Sequence, residues 1–208
     1  MAQASSARGA KRDIARKEGL GVRDLVTVAI FTVIYFVFFF LCGMTGMIPI
    51  MAFLLPLPLA FLTGISNTLF YTKAHTFGMV TIMGVLLGLL SFLMGYGPIG
   101  LGFGVVCGVV ADLIMRAGKY RSYKNMIAGH CVFSLWVVGT MLPMWIMGQA
   151  YFEPYRATQG DAYVTEMAAL LTGGMLAIIV VGIIVCALLG MLLGHAVLKK
   201  HFERAGIA

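Results

Sequence analysis

The chain has 208 residues, 61% of them hydrophobic and 11% charged, with a mean hydropathy of +0.97; a soluble domain of this length cannot hide so much apolar surface, so lipid must solvate much of it. The net charge of +7 is not a nucleic-acid signature, because the basic residues form short clusters between apolar runs and read as topology signals. Cys42, Cys107, Cys131 and Cys186 are scattered singly inside apolar segments, the pattern of buried thiols and not of a zinc site or a disulfide framework.

Residues 1–24 are polar and basic, and the apolar run behind them is too long for a secretory core and lacks a small-residue cleavage site. They read as a retained tail. Six apolar runs follow, at about 25–43, 47–70, 77–96, 98–115, 127–148 and 170–198, each long enough to cross a bilayer as helix. The expected fold is therefore an all-α bundle of six transmembrane helices over residues 25–198, with a polar tail at 199–208.

Pro49, Pro56 and Pro58 fall in the second run. They remove backbone donors and disfavour straight helix before each ring, which predicts a kinked or partly unwound stretch that either lines a cavity or packs around its own bend. Gly43–Gly46, Tyr71–Thr76, the Gly95-Tyr96-Gly97-Pro98 turn, the basic Arg116–Asn125 loop and the longer 149–169 segment link the runs. Fourteen of the 15 Lys and Arg residues fall on one side of this topology, with Arg156 alone on the other; both termini are therefore expected in the cytoplasm. The 149–169 segment, acidic and aromatic, reads as an outward-facing lid or as a solvated connection on the headgroups.

Small residues recur at four-residue spacing in Gly84 and Gly88, in Gly100, Gly104 and Gly108, and in Cys186, Gly190 and Gly194. Such stripes let helix backbones approach closely, either within the chain or against another membrane subunit. Residues that could carry chemistry are sparse. Asp112 lies four residues before Arg116 near the basic end of its run, where an i,i+4 ion pair or snorkelling toward the interface is expected. His75, His130, His195 and His201 fall at the basic ends, where polar anchoring is expected; His130, one turn into its run, is the one left open. Gly64-x-Ser66 lacks the context of a nucleophile motif, and there is no His-Glu-x-x-His or nucleotide-binding loop.

The opposite ends of the runs are rich in methionine and aromatic residues, with few full charges. Flexible, polarisable thioethers and flat amphipathic rings suit a mostly apolar or planar organic ligand. Trp145 and Gln149 share a face if their helix continues, with Met141 and Met144 one turn away and Glu153 close behind. Met44, Met94, Tyr96 and Tyr151 complete the expected binding set.

The stretches LVTVAIFTVIYFVFFF (25–40), FGMVTIMGVLLGLL (77–90), GKYRSYKNMIAGHCVFSLWVVGTMLPMWIM (118–147) and GHAVLKKHFERAGI (194–207) resemble the Trep_Strep, or MptD-like, family of energy-coupling factor (ECF) transporter S components. The resemblance covers nearly everything after residue 20. It implies a non-enzymatic membrane protein without a cofactor of its own, which binds a micronutrient at its outward end. A membrane coupling subunit and two cytoplasmic ATPases would be its partners, and a vitamin-like compound, a haem-type tetrapyrrole or a metallophore its cargo. Many S components carry an alanine-x-x-x-alanine docking motif in the first helix; here the place reads Ala29-Ile-Phe-Thr-Val33, matching at the first position only. Gly190 and Gly194 are expected to share the docking. The alternatives are a self-standing secondary transporter, an accessory subunit of another membrane complex, or a small intramembrane enzyme using Asp112, Ser66 or His130.

Overall fold

The computed structural model describes residues 19–204. Most of the basic N-terminal tail and the last four residues lie outside the described residues, as does the side chain of His201. All regular structure among the described residues is helical, and six helical segments are long and apolar enough to cross a membrane: Val22–Gly46, Pro49–Lys73, Met79–Tyr96, Pro98–Ala117, Tyr123–Tyr151 and Gly173–Lys200.

Helix α1 (Val22–Gly43) starts where the Asp24 carboxylate accepts the Gly21 N–H at 3.0 Å and ends in a 3₁₀ turn, Met44–Met47. The second span is broken as its prolines predict. Pro49 begins α2 (Pro49–Leu54), and Pro56 begins α3 (Pro56–Lys73) immediately after Leu55. A proline is tolerated in the first turn of a helix, where its missing N–H has no intrahelical acceptor to lose. The third span, α4 (Met79–Ser91), closes in a π turn at Phe92–Tyr96, and positive φ angles at Gly95 and Gly97 turn the chain into α5 (Pro98–Ala117). The fifth span divides at Leu135 into α6 (Tyr123–Ser134) and α7 (Trp136–Met147). There the Ser134 hydroxyl donates back to the His130 carbonyl at 2.9 Å, a bond that bends helices.

The segment 149–169, expected from sequence as an outward-facing lid or a solvated connection, is largely helix. After a short 3₁₀ turn at Gly148–Tyr151, α8 (Glu153–Leu170) begins with Pro154 in its first turn and kinks at Gly160, whose φ is +85°. Its Ala, Glu, Met and Leu content after the kink favours helix, and Val164 and Met167 give it a buried face. Helix α9 (Gly173–Arg204) completes the chain.

The spans close a ring. α1 packs between α3 and α4, α4 on α5, α5 on α6 and α7, α6 on α9, and α9 back on α3. The glycine stripes set the two tightest seams. A Cβ on Gly64 would lie 2.9 Å from the Gly190 backbone, and one on Gly104 would lie 2.5 Å from the Gly84 carbonyl oxygen. Only bare backbone fits at these crossings. This corrects the docking role expected of Gly190 and Gly194: both are buried, Gly190 against the Phe61 backbone and Gly194 against Thr68 and Ile65, so α3 already occupies that face. Ala29 and Val33 stand exposed on the outer surface of α1.

The expected Asp112–Arg116 pair also gives way. Asp112 is fully buried, and its Oδ2 accepts the Gly78 N–H at 2.7 Å, the Thr81 N–H at 3.1 Å and the Thr81 hydroxyl at 2.9 Å, while Oδ1 accepts the Tyr120 hydroxyl at 2.7 Å. Arg116 lies over the Phe77 ring instead, 5.3 Å from its centroid. The carboxylate thus caps the start of α4, satisfying N–H groups that have no intrahelical acceptor.

Candidate functional site

At the end of the bundle away from the basic clusters, α1, the α2–α3 junction, the π turn and α7 leave a cavity of about 390 Å³, roofed by α8. Each wall follows from helix periodicity. Val137, Thr140, Met141 and Met144 fall at i, i+3, i+4 and i+7 of α7 and share one helix face; Tyr155 and Gln159 before the Gly160 kink of α8, and Tyr163 and Met167 after it, are two i,i+4 pairs that both reach the lining. Phe39, Gly43, Met44 and Gly46 close one side, and Ala52 and Leu55 another. The break at Leu55 therefore lies against the cavity, where irregular backbone at membrane depth is tolerated.

Aromatic packing holds the walls. Phe39 meets the Tyr96 ring edge-on at 5.7 Å and the Trp136 ring at 5.8 Å, and the Trp136 Nε1–H donates to the Tyr35 hydroxyl at 2.8 Å. The roof is tied down at two points. Phe152 is 1% exposed beneath the start of α8, and the Tyr163 hydroxyl donates to the Gly46 carbonyl at 3.0 Å. Burial raises the Tyr163 pKa, keeping its phenol the donor.

Within the lining, Tyr96 and Gln159 have side-chain polar groups with no hydrogen-bond partner among the described residues, and no lining side chain carries a full charge. Outside it, Arg156 grips Glu153 through two N–H donors, each at 2.9 Å, and also donates to Asp161 across the Gly160 kink. The Arg156 bond holds the exposed Glu153 carboxyl below its ordinary pKa, and the two acids raise that of Arg156. A smaller recess of about 220 Å³ adjoins the cavity through Phe39, Gly43, Met44 and Tyr96, adding Phe40 and Met94.

The sequence profile of a hypothetical bacterial integral membrane protein family, Trep_Strep, matches residues 22–204. The chain belongs to the Trep_Strep family. No curated protein and no solved structure matches it.

In this Trep_Strep protein, five of the residues expected to bind ligand, Met44, Tyr96, Met141, Met144 and Tyr151, come together in the cavity lining, and Met94 lines the adjoining recess. Trp145, Gln149 and Glu153 stand outside both. Trp145 is turned toward α2 and α9: its Nε1–H donates to the Thr172 carbonyl at 3.1 Å and its ring meets Phe53 edge-on at 5.6 Å. Gln149 does not share its face, because α7 ends at Met147 and Gly148 turns the chain with a φ of +59°. Glu153 points outward to Arg156. Tyr155, Gln159, Tyr163 and Met167 of α8 also line the cavity; they lie in the segment expected as an aromatic lid or a connection and were not in the expected binding set, and its tyrosines were the available signal.

His130 is fully buried, with Nδ1 3.0 Å from the Tyr71 hydroxyl and Nε2 3.4 Å from the Ser134 hydroxyl. These contacts join α6 to α3 and lie apart from the cavity lining. Among the described residues, no three His, Cys, Asp or Glu side chains converge on a metal-sized space.

Proposed function

We propose that this chain is the substrate-binding S component of an energy-coupling factor importer, capturing a micronutrient at the cavity end and delivering it with a membrane coupling subunit and cytoplasmic ATPases. The observation that carries the reading is the roofed cavity of about 390 Å³ at one end of a six-span bundle, a size within the range of small-molecule sites. Fourteen of the 15 Lys and Arg residues belong to the opposite end or its tails, which supports cytoplasmic termini and an outward cavity. Vitamin-like compounds, tetrapyrroles and metallophores are the cargo classes that the family resemblance brings.

The exposed Ala29 and Val33 on α1 remain the candidates for contact with the coupling subunit. A self-standing transporter or accessory subunit of another complex is the competing reading, and an intramembrane enzyme a more distant one. The deciding experiment is purification in mild detergent with and without a co-expressed coupling module, followed by native mass spectrometry. A stable complex, with a small molecule on the chain, is expected. A chain that binds its molecule yet ignores every coupling module would sink the S-component reading and favour the self-standing transporter.

A further inference from the structure

The cavity combines a lining without charge with polar groups that lack partners. All 17 lining residues are neutral, and the recess beyond Met44 adds only Phe40 and Met94. The single basic residue at this end of the chain, Arg156, is held by Glu153 and Asp161 on the outer side of α8. An ion moved from water into such a site loses its hydration without gaining a counter-charge, so burial there selects strongly against charged ligands. Tyr96, half-buried, and Gln159, on the exposed roof, meanwhile offer hydroxyl and amide groups with no hydrogen-bond partner among the described residues, and four methionines and several aromatic rings share the lining with them.

We infer that the cavity takes an uncharged ring compound, whose carbonyl, amide or hydroxyl edge pairs with Gln159 and Tyr96 while its faces lie against Met44, Met141 and Met144. Building on the capture function proposed above, this narrows the cargo. Free-acid tetrapyrroles and charged metallophores are disfavoured, because their carboxylates or net charge would meet no partner in the lining. The roof adds to the selection, since none of the four charged residues of α8 lines the cavity: Glu153, Arg156 and Asp161 pair with one another, and Glu166 is exposed outside the lining.

The test uses the full chain in lipid nanodiscs and two probe pairs that differ in charge, riboflavin against its 5′-phosphate and protoporphyrin dimethyl ester against the diacid. Binding is read by fluorescence and native mass spectrometry. The expected result is that a neutral member binds at least ten-fold more tightly than its charged counterpart, and that Met144→Trp, which fills the cavity, abolishes binding. Gln159→Lys, on an exposed part of α8 and so harmless to folding, should raise the affinity of the charged members. Tighter binding of a charged member to the wild type, lost in Met144→Trp, overturns the inference while leaving capture intact. A protein that assembles with a coupling module but binds no probe also overturns it, and a protein that does neither removes the capture reading as well.

Discussion

Tyr163, on the roofing helix, donates its hydroxyl to the backbone carbonyl of Gly46, in the turn that ends the first span, across 3.0 Å. This is the one side-chain hydrogen bond among the described residues that ties α8 to α1's turn. If α8 must lift for a ligand to enter, this bond is among those that open first.

Tyr163→Phe should therefore loosen the roof without unfolding the bundle. One neutral hydrogen bond contributes about 1 kcal/mol, which corresponds to a roughly five-fold change in an equilibrium. Backbone amide exchange in α8 should quicken by about that factor, while exchange in α3 and α5 stays as it was. Unchanged α8 protection would mean that Phe152 and Met167 hold the roof unaided.

The glycine seams make a prediction of opposite signs. At Gly104 an added methyl group would lie 2.5 Å from the Gly84 carbonyl oxygen, whereas at Gly102 nothing stands within 4 Å. Gly104→Ala should cost about 1–3 kcal/mol by overpacking. Gly102→Ala should be neutral or stabilising by up to about 1 kcal/mol, because alanine restricts the unfolded chain and favours helix. Thermal unfolding of both variants in the same detergent measures the difference.

Asp112 should prove a structural residue. Removing its carboxylate in Asp112→Ala leaves the Gly78 and Thr81 N–H groups and two hydroxyls without acceptors, and such buried orphans together cost about 3 kcal/mol or more. Lower stability with ligand affinity retained in the surviving folded fraction is the expected pattern. Loss of affinity at full stability would return Asp112 to the functional candidates.

Tyr120 supplies a pH dependence. Burial, and then its bond to Asp112, raise its pKa above the ordinary 10.0, so the folded chain holds this proton more tightly than the unfolded one. The stabilisation is complete below about pH 10 and is lost as the pH climbs from there toward the folded-state pKa. Tyr120→Phe should flatten the stability curve of the protein above pH 10, seen as a smaller difference in melting temperature between pH 9 and pH 11 than the wild type shows.

Trp145 and Met141 should separate stability from binding. Trp145→Phe removes the donor to Thr172 and is expected to cost about 1 kcal/mol of stability while leaving ligand affinity unchanged. Met141→Ala, within the cavity wall, should weaken binding by about ten-fold, the scale of a lost buried apolar contact. Affinity loss in the tryptophan variant alone would place the binding surface nearer α2 and α9.

Much of this was legible in the order of residues. Continuous apolar length determined the six spans, since a bilayer leaves helix as the only way for such a segment to satisfy its backbone. The prolines announced the break before α3, and the methionine-rich ends marked where the cavity lies. Helix α8 was harder to read: Gly160, Pro154 and its charges look like loop chemistry, and its apolar face is one narrow line of residues that matters only once a bundle stands beneath it.

Tertiary structure decided the rest. Trp145 and Met144 are neighbours in sequence, yet only Met144 faces the cavity, because one residue advances a helix face by about 100° and nothing local says which face looks inward. Asp112 lies one turn from Arg116, yet the stronger claim came from backbone donors 31 and 34 residues away that a folded neighbour brings to its carboxylate. The stripe at Gly190 could serve packing within the chain or a partner subunit, and the ring closure of the bundle set it against α3. Periodicity and hydropathy are properties of one helix, so they determine that a face will be buried; which surface buries it is a property of the pair, and that appears only when the chain is folded.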